Sequence, residues 1–136
     1  MIRLFLDANI LFTAAHNPKG KAALVIELGQ QGRWKIVTSN YAYSEAERNL
    51  RLKFPDRLAD LESLMTSIGI LPTGTGANCP IELRQKDRPI FESALQAQAT
   101  HLLTGDLRDF GVHMNKADLT ENVVIQTVAD FLLAQV

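Results

Sequence analysis

The sequence is poor in the residues and segments that define several common classes of protein. It has one cysteine, Cys79, among 136 residues, so no disulfide can form within the chain and a cysteine-rich zinc site is excluded. We expect Cys79 to be a loop or core thiol. No apolar run approaches the roughly 18 residues of a membrane span, and the apolar start, residues 2–6, is too short for a signal peptide. We therefore expect a cytosolic protein with no membrane partner.

Histidine and net charge are also limited. The three histidines, His16, His101 and His113, are scattered and form no His-x-x-x-His pair, which argues against a zinc hydrolase with its ligands at helical spacing. Fourteen basic residues against fifteen acidic ones give a net charge of −1. Such a balance excludes nucleic-acid binding by bulk charge. If the substrate is a nucleic acid, the basic groups must be local and a metal must assist them.

What the sequence does contain is a series of short apolar strands alternating with helical patterns. Strands are predicted at residues 3–6, 34–38, 101–104 and 123–125. Helices are predicted at residues 18–31, 40–53, from Pro55 onward, at 87–99 and after residue 127, and residues 72–78 read as a loop. No repeat or linker interrupts this pattern. It predicts a single domain, residues 1–136, of the α/β class with a parallel sheet.

Four acidic residues stand where such a sheet would bring them together. Asp7 closes the first strand, and Asp106 follows the strand at 101–104. Asp87 begins the helix that leads into that strand, and Glu45 lies about two turns into its helix, beside the apolar face. The carboxyl ends of parallel strands share one edge of a sheet. We therefore expect the four carboxylates to converge on one cleft.

Each of these acids also has an ordinary structural explanation. Asp87 would serve as a helix cap, Asp106 as a turn residue and Glu45 as a solvated helix charge. Asp7 is harder to explain in this way, because a carboxylate directly after an apolar strand lies near the core and needs a partner. Converging carboxylates repel each other, and their burial is costly. The usual compensation is a divalent cation such as Mg²⁺ or Mn²⁺, which prefers oxygen ligands.

The same segments, in this order, resemble the motifs of PIN domains. Residues 7–11, DANIL, are similar to the opening Asp-x-Asn motif of that family. Residues 44–50, SEAERNL, in which Glu45 follows Thr38-Ser39 by six positions, are similar to its second acidic motif. Residues 87–94, DRPIFESA, and 102–106, LLTGD, are similar to the third and fourth. The resemblance extends from residue 3 to about residue 132.

This resemblance implies a central parallel sheet with helices on both faces and a metal-dependent endoribonuclease site of the VapC type. The catalytic residues and ligands of Mg²⁺ or Mn²⁺ that it implies are Asp7, Glu45, Asp87 and Asp106. Asn9 and Thr104 would hold these acids by hydrogen bonds, and Asp109 would support them or add a ligand. The alternative for Asp109 is that it is a surface acid in a turn. Glu47 is a rival to Glu45, which we prefer for its spacing and its place nearer the apolar face.

The expected reaction is in-line hydrolysis of RNA by an activated water, leaving a 5′-phosphate and a 3′-hydroxyl. Arg48 and Arg88 are close in sequence to the site acids and are expected to contact RNA phosphates. The alternative is that they are solvated helix charges. Trp34 and Tyr41 are expected to pack in or near the core, although aromatic rings of this kind can also stack on bases.

The biological role stays open at this stage. Many small PIN proteins are toxins, so an antitoxin partner and a homodimer are both open. A catalytically inactive PIN-like domain that binds RNA or protein is the main alternative, although a degenerate site would be expected to lack at least one acid. An aspartyl-phosphate phosphatase is disfavoured because Asn9 stands where its second Asp belongs. A DNA-cutting 5′-nuclease of related fold usually carries more acids and extra helices.

Overall fold

The computed structural model describes residues 1–135, which form a five-stranded parallel sheet connected by helices. The strands are β1 (Arg3–Leu6), β2 (Lys35–Ser39), β3 (Gly69–Leu71), β4 (His101–Leu103) and β5 (Val124–Gln126). The α-helices are α1 (Ala8–His16), α2 (Lys21–Gln30), α3 (Asn40–Lys53), α4 (Leu58–Met65), α5 (Arg88–Gln96), α6 (Leu107–Phe110) and α7 (Val128–Ala134). Short 3₁₀ turns occupy Pro55–Arg57, Gly111–His113 and Ala117–Leu119.

The central strands are apolar along their whole length because both faces of the sheet are covered. Leu4, Phe5 and Leu6 of β1 are fully buried, as are Leu102 and Leu103 of β4. A strand buried on both faces reads as a continuous apolar run, without the alternation of a half-exposed strand. The expected α/β fold with a central parallel sheet is confirmed.

The order of strands in the sheet is β3-β2-β1-β4-β5. The chain moves outward from β1 to β2 and β3, and then returns past β1 to β4 and β5. Right-handed crossovers in opposite directions place their helices on opposite faces. Accordingly α1 packs against α2, α3 and α4, whereas α5 crosses the sheet against β2 and β4. The expected helices on both faces are present.

The direction in which successive strands are added across the sheet reverses between β1 and β4, which are parallel neighbours. Leu6 at the end of β1 pairs with Leu103 at the end of β4, and the backbone N–H of Asp7 donates to the carbonyl of Leu103 at 3.1 Å. In open parallel sheets, ligands bind beyond the carboxyl ends of the strands at such a reversal. The residues that follow β1 and β4 therefore start at the edge where a site is expected.

Several elements differ from the sequence-based expectation. Helix α1 was not expected, because its residues are apolar on most sides and show no clear polar face; five of its nine residues are buried. Strand β3 was also missed, since it is a three-residue edge strand that is largely exposed. Helix α6 was not expected either, since a turn after Asp106 was considered only as the alternative to a site role for Asp106 and Asp109. Helix α3 was placed at its observed bounds, while the other expected elements shift by one to a few residues at their ends.

Within residues 1–135, no helix combines the length and the apolar composition that crossing a membrane requires.

Candidate metal centre

Asp7 lies at the junction between β1 and α1, where the strand ends and the helix begins. Its Oδ1 accepts a hydrogen bond from the backbone N–H of Ala8 at 2.7 Å, so the residue caps α1. The side chain is almost fully buried, with 4% of the residue exposed. A buried carboxylate needs several donors or a cation to remain charged. The local sequence thus places a carboxylate at the edge of the sheet, in a buried position that destabilises its charged form.

Thr104 and Asn9 connect Asp7 to the segment that follows β4. The hydroxyl of Thr104, which is fully buried, donates to Asp7 Oδ2 at 2.8 Å and accepts from the backbone N–H of Asp106 at 3.1 Å. Asn9 accepts from the backbone N–H of Gly105 at 2.7 Å and directs its amide nitrogen to both Asp7 and Thr104 at 3.2 Å. The network fixes Asp7 and Asp106 relative to each other.

Asp87, Asp106 and Asp109 form the tightest group of acids in the part of the chain that the structure describes. One carboxylate oxygen from each lies within 4.8 Å of the other two. Asp87 occupies the position before α5, and Asp106 caps α6 by accepting from the backbone N–H of Asp109 at 3.1 Å. That cap turns Asp109 back toward the cluster, and its side chain is only 4% exposed. Asp109 therefore belongs to the site geometrically, and the surface-turn alternative does not describe it.

Two basic side chains contact this group. Lys86 Nζ lies 3.2 Å from Asp87 Oδ1, 3.1 Å from Asp109 Oδ2 and 3.7 Å from Asp106 Oδ2. Arg84 Nη1 lies 3.5 Å from the other oxygen of Asp109. The sequence analysis did not single out either residue for this role. The signal was present in the charge-rich segment 82–88 immediately before Asp87, but a run of mixed charges is more often a solvated surface.

The acids perturb one another's protonation. Burial is the main cause that raises the pKa of Asp7 from 3.8 to about 6; the charges of Glu45 and Asp106 add to it, whereas the hydrogen bonds from Thr104 and Ala8 oppose it. Burial, followed by contact with the carboxylate of Asp109, also raises the pKa of Asp87. The same contact with Asp87, together with Lys86, holds the pKa of Asp109 well below its usual value. Ionisation of Asp87 is therefore opposed, whereas that of Asp109 is favoured.

Glu45 lies beside this cluster, whereas Glu47 does not face it. The charge of Glu45 is close enough to raise the pKa of Asp7. Glu47 instead lies 3.9 Å from Arg51 on the surface of α3. The preference for Glu45 over Glu47 agrees with this geometry, and its role stays a prediction. The four expected acids lie at one edge of the sheet, and Asp109 joins them.

Two arginines and two aromatic residues were also considered as RNA contacts, and the structure shows what each side chain touches. Arg48 is exposed on α3, one turn after Glu45. Arg88 donates from Nε to the carbonyl of Gly76 at 2.9 Å, so it holds the loop before α5. Trp34 is buried and donates to the carbonyl of Val25 at 3.0 Å, as expected for a core residue. Tyr41 is half-buried near the acids and donates to the carbonyl of Lys86 at 3.0 Å.

A further buried acid, in addition to Asp7 and Asp87, was not expected from the sequence. Glu92 on α5 is 5% exposed, accepts from the backbone N–H of Asn78 at 3.0 Å and contacts the amide of Gln96. Ser93 accepts from the backbone N–H of Gly74 at 2.9 Å. A Cβ atom at Gly74 would lie 2.7 Å from Glu92 Oε1, so only glycine allows this close approach. Glu92 therefore anchors the loop and stands apart from the acidic cluster.

The donor set suits a hard divalent cation. Asp87 Oδ2 is buried and has no hydrogen-bond partner within residues 1–135. Carboxylate oxygens are the ligands that Mg²⁺ and Mn²⁺ prefer, and one or two are sufficient when water completes the shell. A cation would also offset the repulsion within the cluster. Asp87, Asp106 and Asp109 could therefore hold a metal ion at this edge of the sheet.

Comparison with protein families identifies the class of this fold and site. A family model described as PIN domain matches residues 3–108, which is more than half of the chain. The chain therefore belongs to the PIN domain family. The match includes Asp7, Glu45, Asp87 and Asp106 and ends one residue before Asp109. No curated protein sequence matches the chain significantly.

Solved structures of toxin–antitoxin proteins have a similar fold. VapBC2 from Rickettsia felis, solved with a promoter DNA fragment, aligns with a TM-score of 0.67 and 14% identity over 93% of this chain and 98% of that one. VapBC-1 from nontypeable Haemophilus influenzae aligns with a TM-score of 0.60 and 16% identity, over 94% of this chain and 99% of that one. The Sarcin-Ricin loop cleaving toxin VapC20 from Mycobacterium tuberculosis aligns with a TM-score of 0.50 and 10% identity, over 73% of this chain and 86% of that one. At such identities the likeness concerns the fold alone.

Proposed function

We propose that this chain is a metal-dependent endoribonuclease that hydrolyses RNA phosphodiester bonds. The observation that carries the proposal is the meeting of carboxylate oxygens from Asp87, Asp106 and Asp109 within 4.8 Å, beside the buried Asp7. These acids come from three separate segments of the chain: Asp7 follows β1, Asp87 precedes α5, and Asp106 and Asp109 both belong to the capped start of α6. Their convergence stabilises no apolar core, so a bound divalent cation is the simplest physical reason for it.

The chain's own residues would share the work of holding that cation. Asp87, Asp106 and Asp109 have the shortest mutual distances and are assigned as ligands. Asp7 and Glu45 add negative charge beside them and would bind a second ion or a coordinated water. Thr104 and Asn9 keep the Asp7 carboxylate in one orientation through their hydrogen bonds. Such supporting bonds typically change metal affinity by about 10–100-fold when removed.

The cation, Mg²⁺ or Mn²⁺, would supply Lewis acidity, which lowers the pKa of a coordinated water and neutralises charge on the phosphate. The chain offers no serine, cysteine or histidine nucleophile within the cluster described above. Hydrolysis by water therefore fits the site, and its products would carry a 5′-phosphate and a 3′-hydroxyl. A 2′,3′-cyclic phosphate would require attack by the RNA's own hydroxyl instead.

There is room for a nucleotide beside the acids. A cavity of about 670 Å³ opens next to Asn9 and Asp106, with Ile10 and Val128 among its apolar walls and Lys21 at its rim. Arg48 is exposed on α3, one turn beyond Glu45. Local cations of this kind would hold phosphates on either side of the cut although the whole chain carries a charge of −1.

Cleavage of a single-stranded RNA pool labelled at its 5′ end tests the proposal. We expect cleavage with Mg²⁺ or Mn²⁺ and none with EDTA. Asp106→Asn should reduce the rate by at least about 100-fold, because electrostatic groups of this kind contribute several kcal/mol to catalysis. The matched control is Asp118→Asn, which removes an exposed acid from the 3₁₀ turn at Ala117–Leu119.

Two results would contradict the proposal. Cleavage that persists unchanged in Asp106→Asn would exclude this site as its origin. Binding of RNA without any cleavage, across metals and substrates, would favour the catalytically inactive PIN-like domain. Terminal analysis of the products separates hydrolysis by water from cyclisation.

We further propose that the chain acts as the toxin of a toxin–antitoxin pair. Two of the similar structures contain a VapB antitoxin with a VapC toxin, and this observation supports the proposal. The gene next to the one that encodes this chain should then encode a small DNA-binding protein. Co-expression of the two should restore growth that expression of this chain alone inhibits. Analytical ultracentrifugation of the isolated chain tests whether it forms the homodimer that the sequence left open.

A further inference from the structure

The ammonium group of Lys86 lies among the carboxylates that form the candidate metal centre. It contacts one oxygen each from Asp87, Asp106 and Asp109, at 3.1 to 3.7 Å. Arg84 reaches only Asp109, on its other oxygen. Within residues 1–135, Lys86 is the one cation that touches all three acids. Lys86 therefore contacts the same three carboxylates that could share a divalent cation.

The backbone of Lys86 is fixed, while its side chain can leave. Its carbonyl accepts a hydrogen bond from the hydroxyl of Tyr41 at 3.0 Å, and its neighbour Asp87 is buried before the start of α5. The side chain, in contrast, is half exposed, with 50% of its surface accessible. A lysine stem with four methylene groups can rotate into solvent without moving the backbone. The contact is therefore a removable one.

We propose that Lys86 is an internal counter-ion that occupies the metal centre in the absence of metal and is displaced when a divalent cation binds. This inference rests on the proposed function, since it takes the cluster to be a metal site. Ligand oxygens lie about 2 Å from a bound Mg²⁺. An ammonium group and a divalent cation sharing the same oxygens would repel each other strongly at that range. Metal binding must then break the three contacts of Lys86.

Two consequences follow from this competition. Lys86 lowers the affinity for the metal, because part of the metal's binding free energy is used to displace it. It also stabilises the metal-free protein, because it offsets repulsion among three closely spaced carboxylates. Removing the charge should therefore tighten metal binding and weaken the apo fold. A residue that merely positions the ligands would give the opposite change in affinity.

Calorimetric titration of Mn²⁺ into the full chain measures the first consequence. Lys86→Met keeps the apolar stem and removes the charge, and we expect its Kd for Mn²⁺ to fall about tenfold, which corresponds to about 1.4 kcal/mol. Lys86→Arg keeps a cation at the site and should remain near the wild-type value. The matched control is Arg84→Met, which removes a basic residue that touches Asp109 alone. It should change the affinity much less than Lys86→Met.

Thermal unfolding of the same variants measures the second consequence. In EDTA the Tm of Lys86→Met should lie below that of the wild type, and saturating Mn²⁺ should remove most of the difference. An unchanged or weaker Mn²⁺ affinity in Lys86→Met would overturn the counter-ion proposal and leave the metal centre intact. Failure of both the wild type and the variant to bind any divalent cation would instead overturn the proposed function, and this inference with it.

A measurement on the wild type covers the case in which Lys86→Met does not fold. With ¹⁵N-labelled lysine, an ammonium group held by three carboxylates gives a slowly exchanging NMR signal. We expect the Lys86 signal to be observed in EDTA and to be lost or shifted when diamagnetic Mg²⁺ is added. A signal that persists unchanged at saturating Mg²⁺ would contradict displacement.

Discussion

At the scale of single residues, the site is defined by carboxylates that burial makes costly to ionise. Asp7 is the clearest case, because it is 4% exposed and receives hydrogen bonds from Ala8, Thr104 and Asn9 without an ion pair among residues 1–135. Asp87 is the second, with one oxygen that has no partner in the same range. Acids in such surroundings are functional candidates because structural stability alone would select against them.

The pKa of Asp7 leads to a prediction about stability in the absence of metal. A folded-state pKa of about 6, against an ordinary aspartate pKa of 3.8, means that the folded state holds this proton more tightly than the unfolded state does. Ionising Asp7 therefore destabilises the fold. The penalty is absent below about pH 4, grows as the pH rises and is complete above about pH 6, where it reaches about 3 kcal/mol.

Urea denaturation of Asp7→Asn in EDTA tests this sign. The free energy of unfolding of the variant, relative to the wild type, should increase between about pH 4 and pH 7 by about 2–3 kcal/mol. Asp118→Asn, at an exposed position, controls for the loss of one negative charge. A difference between Asp7→Asn and the wild type that does not vary with pH would contradict the assigned environment of Asp7.

At the scale of elements, the ends of β1, β2 and β4 are tied together by two buried threonines. Thr104 after β4 donates to the Asp7 carboxylate at 2.8 Å. Thr38 in β2 donates to the carbonyl of Leu6 at 2.8 Å. Both side chains are fully buried. The two bonds hold neighbouring strand ends in register, but only the first ends on a proposed site residue.

Replacing each threonine by valine separates structural support from support of the site. Either change should lower stability by about 1–3 kcal/mol, because a buried polar group loses its partner. Thr104→Val should also weaken Mn²⁺ binding by about 10–100-fold, since it releases Asp7 and the backbone of Asp106. Thr38→Val should leave Mn²⁺ affinity unchanged. Equal effects of the two variants on Mn²⁺ affinity would show that Thr104 acts only through the fold.

The elements also show why part of the fold could be predicted from the sequence. Strands β1 and β4 are apolar runs ended by Asp7 and by Gly105-Asp106, and α3 has a serine cap and a periodic apolar face. Those signals are local. Strand β3 has no such signal, because three largely exposed residues become a strand only through pairing with β2. Helix α1 was missed for the opposite reason, since burial on most sides removes its amphipathic pattern.

The site was predictable to a similar degree. Strand topology alone predicted that Asp7, Asp87 and Asp106 lie at one edge. In the structure Asp87 and Asp106 lie in one cluster, and Thr104 joins Asp7 to the backbone of Asp106. The inward turn of Asp109 depends on α6, whose cap is Asp106 itself. The contacts of Lys86 depend on how the loop before α5 folds over the cluster. Neither could be inferred from spacing, because both arise from tertiary geometry.

At the scale of the whole molecule, one reversal in the order of strand addition accounts for both the fold and the site. The sheet grows from β1 in one direction and then in the other, so the segments after β1 and β4 meet at the centre of one edge. Helix α5 begins at that same edge with Asp87, and α3 brings Glu45 there from the opposite face. The PIN family match spans these segments together. The acids are therefore a product of the global topology.

The most direct test is a crystal structure of the full chain grown with Mn²⁺ and measured near the manganese absorption edge. The account predicts an anomalous peak about 2 Å from carboxylate oxygens of at least two of Asp87, Asp106 and Asp109, with Asp7 beside it. Well-ordered crystals in which these acids face one another and bind no manganese at saturating concentration would contradict it. So would carboxylates that point to different sides of the molecule.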